Sequence, residues 1–445
     1  MIGIRTAFLF GVALGLMAQT DTQTEEQAAP EYSGPAVLSR GQLPNAGTPA
    51  PVTLRPYVGI NGIYDNGIVP VSTNVNGQVP FTDEEGVELN LGLYGYHNWK
   101  HTTLAIDYRG NFRHYWPNSY YDGSDQFLSL ILTHKPTRHT QITLRNQAGT
   151  YSQNYFLPSI LPENNFLQTP ANDIYDNRVV FLSTSGDLLY QKSARLSFDL
   201  GGEGDMVRRQ STALYGVTSY SARGDMEYRW TRRTTVGLDY HYLHFDFTRA
   251  FGNTNIHSIG LNYSYQITKR TQISARIGAA RVQTQNLIQV PLDPAIAALL
   301  GISYGVATSF HINYSPDLSA RLVSTYRRSE FRLDYGDTLT PGNGVYVTSR
   351  IQNGGASYNY TGVRYWNFGV TANYSRLSAL VQNIGAFTTY GAGAGVTREL
   401  AKSLHASLRF DEHHYDVTGT QFQHNEYRVT LGFYFSPGDL PLALW

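Results

Sequence analysis

The sequence predicts an all-β protein, a transmembrane antiparallel up-and-down β-barrel of about eighteen strands. Three observations predict it. The first is strict period-2 alternation, clearest in "EYRVTLGFYF" near the C-terminus. Tyr427, Val429, Leu431, Phe433 and Phe435 fall on one face of an extended strand, and Arg428, Thr430, Gly432 and Tyr434 on the other. That is the pattern of a strand lying between two unlike environments. The second observation is a regular alternation of link lengths. Short polar links occur at "HNWKH", "HKPTRH", "YQKSA", "WTRRT", "TKRT", "SPDLS", "YTGVR" and "ELAKS". Longer ones lie between them, at 63–86, 115–124, 154–177, 207–213, 249–254, 286–300, 336–344, 378–385 and 416–423. Bacterial barrels have short periplasmic turns and longer outer loops, whereas a soluble sandwich has no reason to sort its links this way. The third is composition. Charged residues make up 15% of the 445, below the ~25% of an average soluble domain. Tyrosine is abundant, with 33 beside 20 Phe and 5 Trp, and its amphipathic ring suits strands and wet–dry boundaries.

From the N-terminus, "MIGIR" and the apolar run "TAFLFGVALGLMA" predict a signal peptide over residues 1–18, cut after Ala18. The run is too short to span a bilayer as a stable helix. Residues 19–51 are rich in Pro, Ala, Gln and Glu without periodicity and predict a disordered periplasmic linker. It is too short for the folded plug of a TonB-dependent transporter. Residues 52–436 form the predicted barrel. Its segments have the length of transmembrane β-strands, which need ~9–11 residues each. Residues 437–445 form a periplasmic tail, expected to close over the barrel seam. With no cysteine in the chain, the backbone ladder and packing must hold the fold.

Strand phase assigns the faces. "TLAIDYRGNFR" puts Leu104, Ile106, Tyr108 and Phe112 outward, with Asp107, Arg109, Asn111 and Arg113 inward. "SARLSFDLGGEGD" and "TTVGLDYHY" repeat the scheme. The inward set predicted to line a pore is Asp107, Arg109, Arg113, Arg145, Arg195, Asp199, Glu203, Arg223, Asp225, Asp239, Arg276, Arg321 and Arg409, joined by Glu227 and Arg229. Mixed charge keeps water in a channel, and an excess of Arg favours anionic solutes; the same residues could instead be cross-strand ion pairs of the wall. Inward Tyr94, Tyr96, Tyr215 and Tyr434 could stack on sugar rings or simply fill space. Trp99, Trp116, Trp230 and Trp366 fall at strand ends, where interfacial belts select Trp.

"RVTLGFYF" resembles the closing-strand signal recognised by barrel-assembly machinery. Residues 52–436, with texture such as "YGYHNWKHTTLAIDYRGNFRHYW", are similar to the porin-2 family of outer-membrane β-barrels, some of which accompany exopolysaccharide export. The resemblance implies an outer-membrane channel for polar solutes or the exit barrel for a polysaccharide, with lipid, the assembly machinery and periplasmic export proteins as partners. The competing class is a structural or adhesive barrel with an occluded lumen.

Catalysis is not expected, because no HExxH or paired-Asp signature occurs. "DEHHYD" (411–416) is the nearest approach to a metal cluster, but alternation sends Asp411 and His413 one way and Glu412 and His414 the other. Neither a metal nor a cofactor is therefore expected. A formal net charge of zero gives no pull toward nucleic acid. The loop at 286–300 is unusually apolar, with Pro291 and Pro294 ahead of Ile296, Leu299 and Leu300, and is expected either to fold inward and narrow the mouth or to cap the rim against neighbouring loops or another subunit.

Overall fold

The computed structural model describes residues 53–68, 82–116, 119–151, 178–249, 251–291, 293, 303–380, 384–419, 423–437 and 440–441. The expected signal peptide and linker lie outside them.

The first six strands are β1 (Thr53–Ile68), β2 (Thr82–Asn98), β3 (Thr102–Trp116), β4 (Gly123–Thr137), β5 (Thr140–Tyr151) and β6 (Val179–Gln191). Then come β7 (Leu196–Arg209), β8 (Gly216–Arg229), β9 (Thr234–Thr248), β10 (Gly252–Gln266), β11 (Thr271–Pro291) and β12 (Tyr304–Thr325). The last are β13 (Ser329–Gly342), β14 (Val347–Tyr360), β15 (Trp366–Ala379), β16 (Phe387–Ala401), β17 (Leu404–Val417) and β18 (Gln423–Phe435), with a two-residue β19 (Leu440–Pro441). Each strand pairs antiparallel with its sequence neighbour, and β18 returns to β1 from Val58↔Phe435 to Asn66↔Tyr427. The wall is closed, so it presents no open sheet edge to lipid.

The outward face records where the lipid lies. From the short-turn end, β10 presents Tyr263, Leu261 and Ile259, then His257, Asn255 and Asn253. On β18 Phe433, Leu431, Val429 and Tyr427 give way to Asn425 and Gln423. Leu261 is 64% exposed and Leu431 58%, intolerable for contiguous apolar surface in water. On β18 the apolar band starts at the short turn and covers about nine or ten residues, the depth of a hydrocarbon core. Trp99, Trp230 and Trp366 stand at the short-turn side of the wall.

Two expected links are corrected. "SPDLS" is not a turn but mid-strand in β12; the turn is at 326–328. Pro316 is tolerated there because β13 has already left that side of β12: their pairing spans only Leu318↔Asp337 to Thr325↔Glu330. Prolines in sheets favour such unpaired edges. The 286–300 loop is also reassigned. Residues 286–291 continue β11 and pair with 304–309 of β12, so this part extends the wall. The remainder, apart from Asp293, lies outside the described residues. At the tail, Leu440 and Pro441 pair with Leu54 and Thr53 of β1.

The seam is also tied by side chains. Arg428 Nη2 on β18 donates to Asp65 Oδ2 on β1 at 2.8 Å, and Tyr115 OH on β3 donates to the same oxygen at 2.6 Å. Asp65 is fully buried. Removing one partner of a buried ion pair strands the other, at a cost of ~3–5 kcal/mol. Asp65→Ala is therefore expected to lower the temperature at which the compact barrel band disappears in semi-native electrophoresis. A transition temperature equal to wild type would show that the latch does not hold the seam.

Candidate functional site

Directly opposed residues in an antiparallel pair share a face, so register carries the inward assignment from strand to strand. It places Asp107, Arg109 and Arg113 of β3, Arg145 of β5, Asp199 and Glu203 of β7, and Arg223, Asp225, Glu227 and Arg229 of β8 on the inner face. Asp239 of β9, Arg276 of β11, Arg321 of β12 and Arg409 of β17 join them. Arg195 does not: it lies in the exposed turn before β7.

Most of these arginines are held by one or more carboxylates rather than forming a basic ladder. Arg109 holds Asp107 at 2.7 Å and Arg113 holds Asp125 at 2.7 Å. Arg223 sits among Asp187, Asp199 and Asp225 at 2.5, 3.2 and 3.2 Å. Arg276 bridges Asp239 and Asp317, both at 2.6 Å, and Arg321 meets Asp334. Arg409 grips Asp411 through two 2.6 Å hydrogen bonds. The partner carboxylates Asp125, Asp187, Asp317, Asp334 and Asp411 escaped the sequence reading. Asp317 was hidden in the supposed turn and Asp411 was read only as part of "DEHHYD"; the rest needed inter-strand register.

Tyr94, Tyr96 and Tyr434 face inward, as do the unanticipated Tyr57 and Tyr115. The Tyr57 and Tyr434 rings lie flat over Gly92 and Gly59, where a Cβ would collide with them. They cover wall rather than reach into the bore. Tyr215 belongs to the link between β7 and β8, and its N–H donates to the Gly344 carbonyl at 3.1 Å. In "DEHHYD", Asp411 and His413 face inward and Glu412 and His414 outward.

Among the described residues, the element that enters the lumen is the β13–β14 hairpin. Past Asp337 the face of β13 that carries Leu333 and Tyr335 toward lipid no longer meets lipid. Leu339 on that same face packs with Val217, Leu243, Phe245, Ile256, Ala280 and Val282, all inward positions of β8–β11. Tyr346 packs with Ile351, Leu377, Phe387 and Tyr415, inward positions of β14–β17. Polar ties fix the hairpin: Thr254 Oγ1 to Thr348 Oγ1 at 2.8 Å, and Tyr346 OH to the Gly385 carbonyl at 2.6 Å. At its root Arg350 Nε donates to Asp337 Oδ1 at 2.6 Å. Its tip turns on Gly342 (φ 87°) and Gly344 (φ 96°), a left-handed conformation only glycine adopts cheaply. Asn343 Oδ1 caps the turn by accepting from Tyr346 N at 3.1 Å. "TPGNGVY" announced a tight turn, not its direction.

Exposed inward side chains gather elsewhere. Asn353 and Asn359 of β14, Thr371 and Asn373 of β15, and Arg409 of β17 are exposed, whereas every odd position of β3 from 103 to 115 is buried. The free bore runs beside β14–β17.

No protein-family model and no curated protein sequence matches this chain. Among solved structures, it is similar to Pseudomonas aeruginosa OccK2 (OpdF), at 12% identity over 86% of this chain and 98% of that one, with a TM-score of 0.44. P. aeruginosa OccK9 (OpdG) gives 16% identity over 86% and 98%, with a TM-score of 0.42. A BenF-like porin from Pseudomonas fluorescens Pf-5 gives 12%, the same coverages and 0.43. Likeness at this level assigns neither family nor solute. The closed wall and its apolar girdle speak for themselves: the chain is an antiparallel β-barrel of eighteen strands in the outer membrane.

Proposed function

We propose that this barrel is an outer-membrane channel that gives small polar solutes passive passage. The observation that carries the reading is the inner face: mostly polar in the membrane zone, with exposed side chains along β14–β17 and, among the described residues, one packed hairpin narrowing the mouth. Eighteen strands enclose more than their own side chains can fill, and Arg109, Arg113, Arg223, Arg276, Arg321 and Arg409 are each held by wall carboxylates, so solute meets water and hydrogen-bonding groups. The hairpin speaks for small solutes over a polymer, since its apolar seats on two walls leave little width for a polysaccharide chain. Kinship with the porin-2 barrels would fit a channel of either kind.

Purified protein in planar bilayers is expected to insert with discrete, ohmic conductance steps in potassium chloride. Heat-modifiable, correctly folded protein that inserts without any step would favour the occluded structural barrel instead.

A further inference from the structure

Three inward asparagines on neighbouring strands share one construction. Asn353 is opposed to Gly336, Asn359 to Gly369, and Asn373 to Gly391. In each pair the amide oxygen lies where a Cβ on the glycine would have to be: it would sit 3.0 Å away at Gly369 and collide outright at Gly336 and Gly391. The glycines therefore let the amides lie flat on the wall, leaving the bore wide there and turning the amide edges toward it. All three asparagines are exposed.

Above Glu399, at the foot of β16, the track itself is uncharged. The inward positions 351–359 of β14, 367–377 of β15 and 387–397 of β16 carry only Asn, Ser, Thr and Gly below the apolar residues Ile351, Leu377 and Phe387. The charges on the flanking strands are tied down, as Arg332 to Glu330 at 3.2 Å, Arg321 to Asp334, and Arg409 to Asp411. Moreover, Ser375 Oγ, Thr397 Oγ1 and Asn367 Oδ1 have no hydrogen-bond partner among the described residues.

We infer that this amide track is the solute path and that it favours neutral, hydroxyl-rich solutes such as sugars and polyols over ions of equal size. The inference rests on the channel reading and names its substrate class. An amide offers a donor and an acceptor within one planar group, which matches a hydroxyl that does both. It offers no net charge to replace the hydration of an ion, whereas rings of charged side chains are what select ions in channels.

The test compares efflux of radiolabelled glucose, gluconate and glucosamine, alike in size, from phosphatidylcholine vesicles containing the protein. Glucose is expected to leave several-fold faster than either ion. Asn353→Asp with Asn373→Asp should reverse the order of glucose and glucosamine. Gly391→Ala, which pushes the Asn373 amide off the wall, should slow glucose without favouring either ion. Gluconate or glucosamine leaving wild-type vesicles as fast as glucose would overturn the inference and leave the channel standing, as would an unchanged ratio in a double variant that keeps its heat-modifiable mobility. Retention of all three solutes, together with no conductance in potassium chloride, would remove the channel reading and this inference with it.

Discussion

Replacing residues 339–347 with an Asn-Gly turn is expected to raise single-channel conductance several-fold. The hairpin crosses the bore between two seats, Leu339 against β8–β11 and Tyr346 against β14–β17, so it occupies cross-section that nothing else in the described wall fills. Its loss also uncovers Val217, Leu243, Phe245 and Val282, each 3% exposed or less. Apolar area moved into water costs ~25 cal/mol per Å², so the same variant should lose its compact form at lower temperature. A gentler substitution, Leu339→Asp, places a carboxylate among those side chains and should unseat the hairpin without shortening the chain, giving larger or flickering steps. Wild-type conductance from a heat-modifiable deletion variant would mean that the bore is limited elsewhere.

Charge on the lipid side of the closing strand should be the most damaging change to the fold. Leu431 and Phe433 project outward, 58% and 49% exposed, within pairings to both β17 and β1. An Arg facing lipid costs ~2–4 kcal/mol at the midplane and less toward the interface. The double variant Leu431→Arg, Phe433→Arg is thus expected to lose several kcal/mol where the barrel must close, against a net stability of only ~5–15 kcal/mol for a typical protein. Little or no compact band should reach the outer-membrane fraction. Thr430→Arg, one residue away but facing water inside, should assemble normally and serves as the control. Normal levels of folded double variant would mean that β18 does not face lipid as its alternation indicates.

Much of this molecule was legible in one dimension. Alternation such as Tyr427 to Phe435 needs no partner strand to be recognised, because lipid outside and water inside act on each side chain separately. The same local rule placed Asp107, Arg109 and Arg223 on the inner face. It failed for Arg195, which lies one residue before β7 begins, and for the turn at Pro316, where a turn-forming residue sits in a strand that has lost a neighbour. It named Asp239 but could not pair it with Arg276, because Arg276 reaches Asp239 and Asp317 through the register of strands far apart in sequence.

The sequence alone determined the barrel, its approximate strand number and the polarity of its two faces, since these follow from period and from turn chemistry. Tertiary structure alone decided which outer link enters the lumen. Leu333, Tyr335 and Leu339 share one face, interrupted only by Asp337, and an apolar side chain is equally satisfied by hydrocarbon or by Val282 and Phe245. Alternation records that water is excluded from that face but not what excludes it. Only the parting of β13 from β12 at Asp337 turns the same face from the membrane to the inner wall.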